Sequence, residues 1–161
     1  MSVSWRHLPK PARAVAEASE DAVAAARARD LPEFERAAGL LAAQDAEHVA
    51  LVLGTVTRML LEDLYPGGLT ADDVRALVGR CARAAAGWFP GVDADTLVML
   101  VAGALGVHQP EPDAFPIDGQ AVARHAALLV ADLLEASGHA LRDLLGAALA
   151  DIALVQSADT P

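Results

Sequence analysis

The chain has 161 residues, a length that fits one domain with a single sizeable core. Hydrophobic residues make up 54% of it but aromatic residues only 4%, a composition that favours closely crossing helices over a β-sandwich or barrel. The formal net charge of −10, from 22 acidic and 12 basic residues, lacks the basic footprint that nucleic acid or an anionic membrane surface requires.

The N-terminal region predicts a helix with a weak apolar face. Residues Pro11 to Arg29 are rich in alanine, and Val15 and Val23 are the only larger aliphatic side chains among them. A helix of this kind gains little stability on its own and needs a surface to pack against. We expect residues 1–30 to form a helix that is peripheral to the domain or depends on a partner.

Two segments bear on cellular location. Met1 to Pro11 contains charges but no apolar run, so it does not resemble a secretory signal. The longest uncharged apolar run, Leu97 to Val107, is shorter than the roughly 20 residues that a membrane-spanning helix needs. These features predict a cytoplasmic protein with no membrane partner.

Two further helices follow, each with a recognisable start. Asp30 offers an N-cap carboxylate, and Pro32 and Glu33 suit the first turn of a helix. From Asp45 to Leu64, large apolar residues recur at helical spacing and predict a helix with a wide apolar face. These apolar positions are Val49, Val52, Leu53, Val56, Met59, Leu60 and Leu64.

Three corners of the predicted bundle pair an aromatic residue with proline. They are Tyr65-Pro66-Gly67-Gly68, Phe89-Pro90-Gly91 and Phe115-Pro116. Proline followed by glycine is typical of a type II turn, and Thr70 with Asp73 resembles a capping box for the helix that follows the first corner. The likeness of the first two corners favours reuse of one joint over a recognition site.

The segment Leu97 to Val107 has no polar side chain. A helix that is apolar all round is normally buried all round, so this segment predicts the central helix. Two more helices are expected, one with apolar residues over 122–134 and one over about 139–155, before a loose tail at 156–161. The predicted fold is a single all-α domain over residues 1–161, a bundle of about five to seven helices around Leu97–Val107.

Candidate metal ligands are few and stand on predicted outer faces. Asp45 and His48 are three residues apart on one helix, and His125, Asp132 and Glu135 share another. A di-metal carboxylate bundle needs Glu-x-x-His on two helices and a Glu on two others, all pointing inward. Because the residues here lie opposite the apolar stripes, we interpret them as solvated and expect no metal or cofactor.

The single cysteine, Cys81, falls in the middle of an apolar stripe. We expect a buried and inert thiol, and one cysteine allows neither an internal disulfide nor a cysteine-based zinc site. No P-loop or G-x-G-x-x-G motif occurs, and no serine stands in a nucleophile elbow. No motif in the chain therefore indicates catalysis.

The most distinctive polar segment is His108 to Gly119, HQPEPDAFPIDG, in which three prolines exclude a regular helix. One interpretation makes it the rim of a pocket between helices, and the other a plain crossover with an aromatic side chain that plugs the core. The candidate ligand or partner contacts are Trp88, Phe89, His108, Glu111, Asp113 and Phe115.

Three functions are compatible with the sequence. The high apolar content favours a protein that acts by binding itself or a protein partner, as a homodimer. The first alternative is a small-molecule sensor or binding protein with a pocket near residues 108–119. The second is an enzyme in which His108 acts with a carboxylate of that loop.

Overall fold

The computed structural model describes residues 5–107 and 118–158, and within these ranges the chain is helical with no β-strand. A short 3₁₀ helix, Trp5–His7, precedes seven α-helices there. Their bounds are α1 Lys10–Ala28, α2 Leu31–Ala42, α3 Ala46–Leu64, α4 Ala71–Ala86, α5 Ala94–Ala104, α6 Gly119–Ser137 and α7 Leu141–Ala158. The prediction of an all-α bundle is confirmed. Across the same ranges, none of the helices combines the length and apolar content required to cross a membrane.

Local sequence signals set where several helices begin. The Thr70 hydroxyl accepts a hydrogen bond from the backbone N–H of Asp73 at 3.1 Å, and the Asp73 carboxylate accepts one from the backbone N–H of Thr70 at 2.9 Å. This is the reciprocal capping box expected at the start of α4. Asp30 and Asp45 cap α2 and α3, each accepting the backbone N–H three residues further on at 3.2 Å.

The centre of the bundle is α6, which packs against α1, α2, α3, α4 and α5. Its buried residues include four alanines, Ala123, Ala126, Ala127 and Ala131, which let neighbouring helices approach closely. Leu129, Val130, Leu133 and Leu134 fill the space between those neighbours and are themselves buried. The core of the molecule therefore surrounds α6.

The prediction that Leu97–Val107 is the central helix is wrong. Of the residues in α5, only Leu97 and Val101 are buried, and Val98 is 41% exposed. The helix ends at Ala104, and Val107 beyond it is 58% exposed. The physical reason is the number of neighbours, because α5 packs mainly against α3, α4 and α6, whereas five helices surround α6.

Helix α1 packs against other helices of the same domain. The prediction that it is peripheral or depends on a partner is therefore wrong for its described residues. The helix packs mainly on α2 and α6, and Val15, Ala22 and Ala26 on its inner stripe are buried. Alanine gives little burial per residue but allows the close crossing that brings many atoms into contact. The weak stripe in the sequence is therefore a close-packed face.

A polar cluster ties the N-terminus to the C-terminal helix. The indole Nε1–H of Trp5 donates to one carboxylate oxygen of Glu20, and the other oxygen accepts from Arg142 at 2.7 Å. The Arg142 guanidinium also lies over the Trp5 ring, 5.8 Å from its centroid. The charge of Arg142 thus meets both a carboxylate and an aromatic face, which favours one arrangement of the 3₁₀ helix, α1 and α7.

Helix α7 runs antiparallel to α3 and extends further than expected. His139 lies 3.0 Å from Asp63, while Arg58 lies 3.7 Å from Asp151, which fixes the opposite directions of the two helices. Gln156 to Ala158 are helical, so the predicted tail at 156–161 begins too early. Residues 159–161 lie outside the described part of the chain.

One buried polar group in α1 lacks a hydrogen-bond partner. Ser19 is fully buried on the inner stripe of α1, and its hydroxyl oxygen has no partner in the structure. A buried hydroxyl that has lost its water contacts destabilises the fold.

We expect Ser19→Ala to raise the free energy of unfolding by about 1 kcal/mol, because it removes the unsatisfied hydroxyl and alanine favours helix. Urea denaturation of the two proteins measures the change. Ser137→Ala is the control, since the Ser137 hydroxyl donates to Leu134 and accepts from the His139 N–H, both at 3.2 Å, and its loss should lower stability. A destabilised Ser19→Ala protein would contradict the prediction.

Candidate functional site

The predicted contact residues Trp88 and Phe89 belong to an aromatic cluster between helices. Phe34 of α2 meets Trp88 and Phe89 edge to face, with ring centroids 5.2 and 5.4 Å away. Phe34 and Phe89 are buried, and Trp88 is half-buried. The corner between α4 and α5 is therefore packed onto α2, in agreement with its interpretation as a joint. The other four candidates, His108, Glu111, Asp113 and Phe115, lie outside the described residues.

The histidine of α6, His125, is buried, so the prediction of its environment is wrong. It was expected on a solvated face of α6, but it is only 3% exposed. Its Nδ1 lies 2.7 Å from the carbonyl oxygen of Ala121, and its Nε2 accepts the backbone N–H of Asp93 at 2.9 Å. Since Nε2 accepts, the proton of the neutral ring is on Nδ1 and is donated to Ala121. The ring also packs edge to face on Phe89 at 6.0 Å.

This arrangement fixes the start of α5 on α6. The Asp93 backbone N–H is satisfied by His125, while the Asp93 carboxylate accepts from the Thr96 hydroxyl at 2.6 Å. That hydroxyl lowers the pKa of the Asp93 carboxyl. The sequence contained a signal for the burial of His125, because it stands three residues after Val122 and four before Leu129, within the apolar stripe of α6.

Cys81 lies at the bottom of a small cleft of about 110 Å³ between α1, α4 and α6. The side chain is 2% exposed, and burial raises the pKa of its thiol to about 12. Nearby, Asp132 is paired with Arg80 at 2.9 Å. The thiol is therefore protonated at neutral pH and is a poor nucleophile, as the sequence predicted.

A groove lies between α3, α5 and α6, with part of α2 at one end, and we call it the α3–α5–α6 groove. It consists of two adjoining cavities of about 300 and 230 Å³ that share Val49, Ala50 and Val122. The first cavity is also lined by Leu41, Ala42, Gln44, Ala46, Glu47, Gly119 and Ala123. The second is also lined by Leu53, Gly54, Thr57, Leu100, Gly103, Ala104 and Ala126. Aliphatic and small residues thus dominate the lining.

Two glycines, one in the interior of α3 and one in the last turn of α5, give the groove part of its depth. A Cβ atom added at Gly54 of α3 or Gly103 of α5 would meet no described atom within 4 Å. Neither glycine is therefore required by close packing of the helices. Thr57 is the polar residue beside them, and its hydroxyl donates to the carbonyl of Leu53 at 2.7 Å. A guest molecule therefore need not supply a hydrogen-bond acceptor for Thr57 at this end of the groove.

Polar side chains lie at the other end of the groove, beside the turn between α2 and α3. The Gln44 amide nitrogen donates to the carbonyl of Leu40 at 3.1 Å, and Glu47 is exposed in the first turn of α3. Asp45, beside them, accepts the backbone N–H of His48 as the helix cap. Asp45 thus has a structural role, and within the described ranges no group of three or more His, Cys, Asp and Glu side chains is placed to hold a metal ion.

Comparison with protein-family models, curated proteins and solved structures finds no match to this chain.

We expect the Cys81 thiol to resist alkylation in the folded protein. A pKa of about 12 in place of 9.0 lowers the thiolate fraction about a thousand-fold at mildly alkaline pH, and the side chain is also shielded from solvent. Iodoacetamide labelling followed by mass spectrometry, with and without urea, measures the difference. Equal labelling rates in both conditions would contradict the assignment.

The raised pKa of the Cys81 thiol makes the free energy of unfolding depend on pH. Between pH 9.0 and about 12 the unfolded chain loses the thiol proton and the folded chain keeps it, so stability falls as pH rises through this window. Wild type should lose more stability there than Cys81→Ala, in which this proton is absent. Parallel losses in the two proteins would show that the thiol does not contribute.

Proposed function

We propose that the protein is a binding protein that holds a small apolar molecule in the α3–α5–α6 groove. The observation that carries the proposal is the pair of adjoining cavities, about 300 and 230 Å³, with a largely aliphatic lining. Ligand sites are typically concave, mostly apolar and provided with a few polar groups at defined positions. The groove reaches Gly119, the last residue of the segment beside which a pocket was expected.

Two glycines of the lining leave space for a guest. Glycine in a helix interior is less stable than alanine by about 1 kcal/mol, so Gly54 lowers the stability of α3 although helix packing does not require a glycine there. Helix packing does not occupy that space at Gly54 or Gly103, since the Cβ positions of both are open. A guest molecule in the groove would use it.

Two reactive groups among the described residues, His125 and Cys81, are unsuited to catalysis in the groove. Both ring nitrogens of His125 are engaged in hydrogen bonds within the fold. The Cys81 thiol is buried and protonated. Neither group lines the α3–α5–α6 groove.

Blocking the groove tests the proposal. Gly54→Leu should place a side chain in the space above α3 and weaken binding of the dye Nile red about ten-fold or more, a loss of roughly 1.4 kcal/mol or more in binding free energy. Fluorescence titration measures the affinity. Gly146→Leu is the matched control, because Gly146 is also half-buried within a helix with an open Cβ position but does not line the groove.

Three outcomes bear on the result. Weakened binding in Gly54→Leu alone supports the groove as the site. Equal weakening in both variants, or full binding in Gly54→Leu, would show that the dye binds elsewhere and would overturn the proposal. Melting temperatures of both variants establish that each is folded.

A second candidate function, homodimer formation, is favoured by exposed leucine and valine on α3 and α7. Leu154 is 70% exposed, Val155 57% and Leu51 48%. The ion pair between Arg58 and Asp151 sets the register of these antiparallel helices, so Val155, one turn beyond Asp151, and Leu51, two turns before Arg58, lie toward the same end of the helix pair. A second copy of the chain could cover this apolar strip through a two-fold interface.

We expect Leu154→Glu to convert a dimer into a monomer, because it places a charge in the centre of the apolar strip. Size-exclusion chromatography with light scattering at micromolar concentration measures the mass. Val98→Glu on α5 is the control, since Val98 is 41% exposed but lies on neither α3 nor α7. A wild-type protein that is monomeric under these conditions would contradict the dimer.

A further inference from the structure

The α3–α5–α6 groove is long and narrow. Along α3 its lining runs from Ala46 to Thr57, which spans about 16 Å at the helical rise of ~1.5 Å per residue. The two cavities meet at Val49, Ala50 and Val122, so they form successive parts of one channel. A linear molecule fits such a channel better than a compact ring system of the same volume.

The two ends of the groove differ in polarity. At the end near Gly54 and Gly103, the lining is aliphatic apart from Thr57, whose hydroxyl is already bonded to Leu53. At the other end stand Gln44 and Glu47, the remaining polar residues in the described part of the lining. A guest with one polar head and one apolar chain therefore has a defined orientation, with its head at the Gln44–Glu47 end.

The groups at the polar end select the chemistry of that head. The Glu47 carboxylate can only accept hydrogen bonds when ionised, and the Gln44 amide donates one of its two N–H groups to the Leu40 carbonyl, which leaves one N–H and the amide oxygen. Among the described residues that line the groove there is no arginine, lysine or histidine, and the whole chain carries a net charge of −10. Acceptors and negative charge favour a head group that donates hydrogen bonds and oppose an anion.

We propose that the groove binds a linear aliphatic chain with a non-anionic, hydrogen-bond-donating head such as a primary hydroxyl, and that it discriminates against the corresponding carboxylate. The inference rests on the proposed function of the groove. A channel of this length accommodates about ten to twelve carbons, given C–C bonds of ~1.5 Å in a zigzag chain. Glu47 sets the head-group preference, and the space above Gly54 and Gly103 receives the chain.

The experiment compares two probes of equal chain length, 1-decanol and decanoate, as competitors of Nile red near neutral pH. In the wild type we expect 1-decanol to displace the dye at a lower concentration than decanoate. Because the alcohol is also intrinsically more apolar, the decisive quantity is the ratio of the two displacing concentrations, decanoate over 1-decanol, and how Glu47→Gln changes it. Removal of the carboxylate should improve decanoate binding about three-fold or more and leave 1-decanol within about two-fold, since only the anion is repelled.

A control variant and the earlier Gly54→Leu variant distinguish failure of the head-group assignment from failure of the proposed function. Glu35→Gln, which removes one negative charge from α2 outside the groove lining, should leave the ratio unchanged. If Glu47→Gln also leaves it unchanged while Gly54→Leu still blocks both probes, the head-group assignment is wrong and the groove remains the site. If Gly54→Leu blocks neither probe, the proposed function itself is wrong.

Discussion

Close packing around α6 is the constraint on which the rest of the fold depends. A helix with alanine at four buried positions can accept neighbours at short distance on several sides, and α1, α2 and α3 use that opportunity. The same small residues limit how much side-chain volume α6 can supply. Where α3, α5 and α6 meet, most of the lining residues are valine, alanine and glycine, which are too small to fill the space between the helices, and a groove is left.

The buried polar groups show how the outer helices are held to this centre. His125 uses one nitrogen within α6 and the other to bind the first turn of α5, so a single ring links the two helices. Elsewhere, Glu20 joins Trp5 of the 3₁₀ helix to Arg142 of α7. His125 and Trp5 are buried, so loss of their hydrogen-bond partners would leave a buried polar atom unsatisfied and would destabilise the fold.

Sequence patterns predicted the helices well because capping and periodicity are local properties. The Thr70–Asp73 box and the apolar face of α3 are both present as expected. Patterns predicted the arrangement of helices less well, because burial depends on which neighbours are available. The apolar segment Leu97–Val107 was predicted to be central, but it is not buried on all sides because too few helices surround it. The alanine-rich α1 was predicted to be peripheral, but its small side chains allow close packing on α2 and α6. The groove itself left no motif, since Gly54 and Gly103 are recognisable as open positions only once their surroundings are known.

The uneven attachment of α5 has a kinetic consequence. Its first turn is held by a buried histidine, whereas only two of its side chains are buried and its last turn lines the groove. Such a helix belongs to the least stable cooperative units of a domain, which open more often than the core and do so without global unfolding. Exchange of a guest would then proceed at the rate at which α5 detaches from α3, and an occupied groove would slow amide hydrogen exchange in α5 more than in α6.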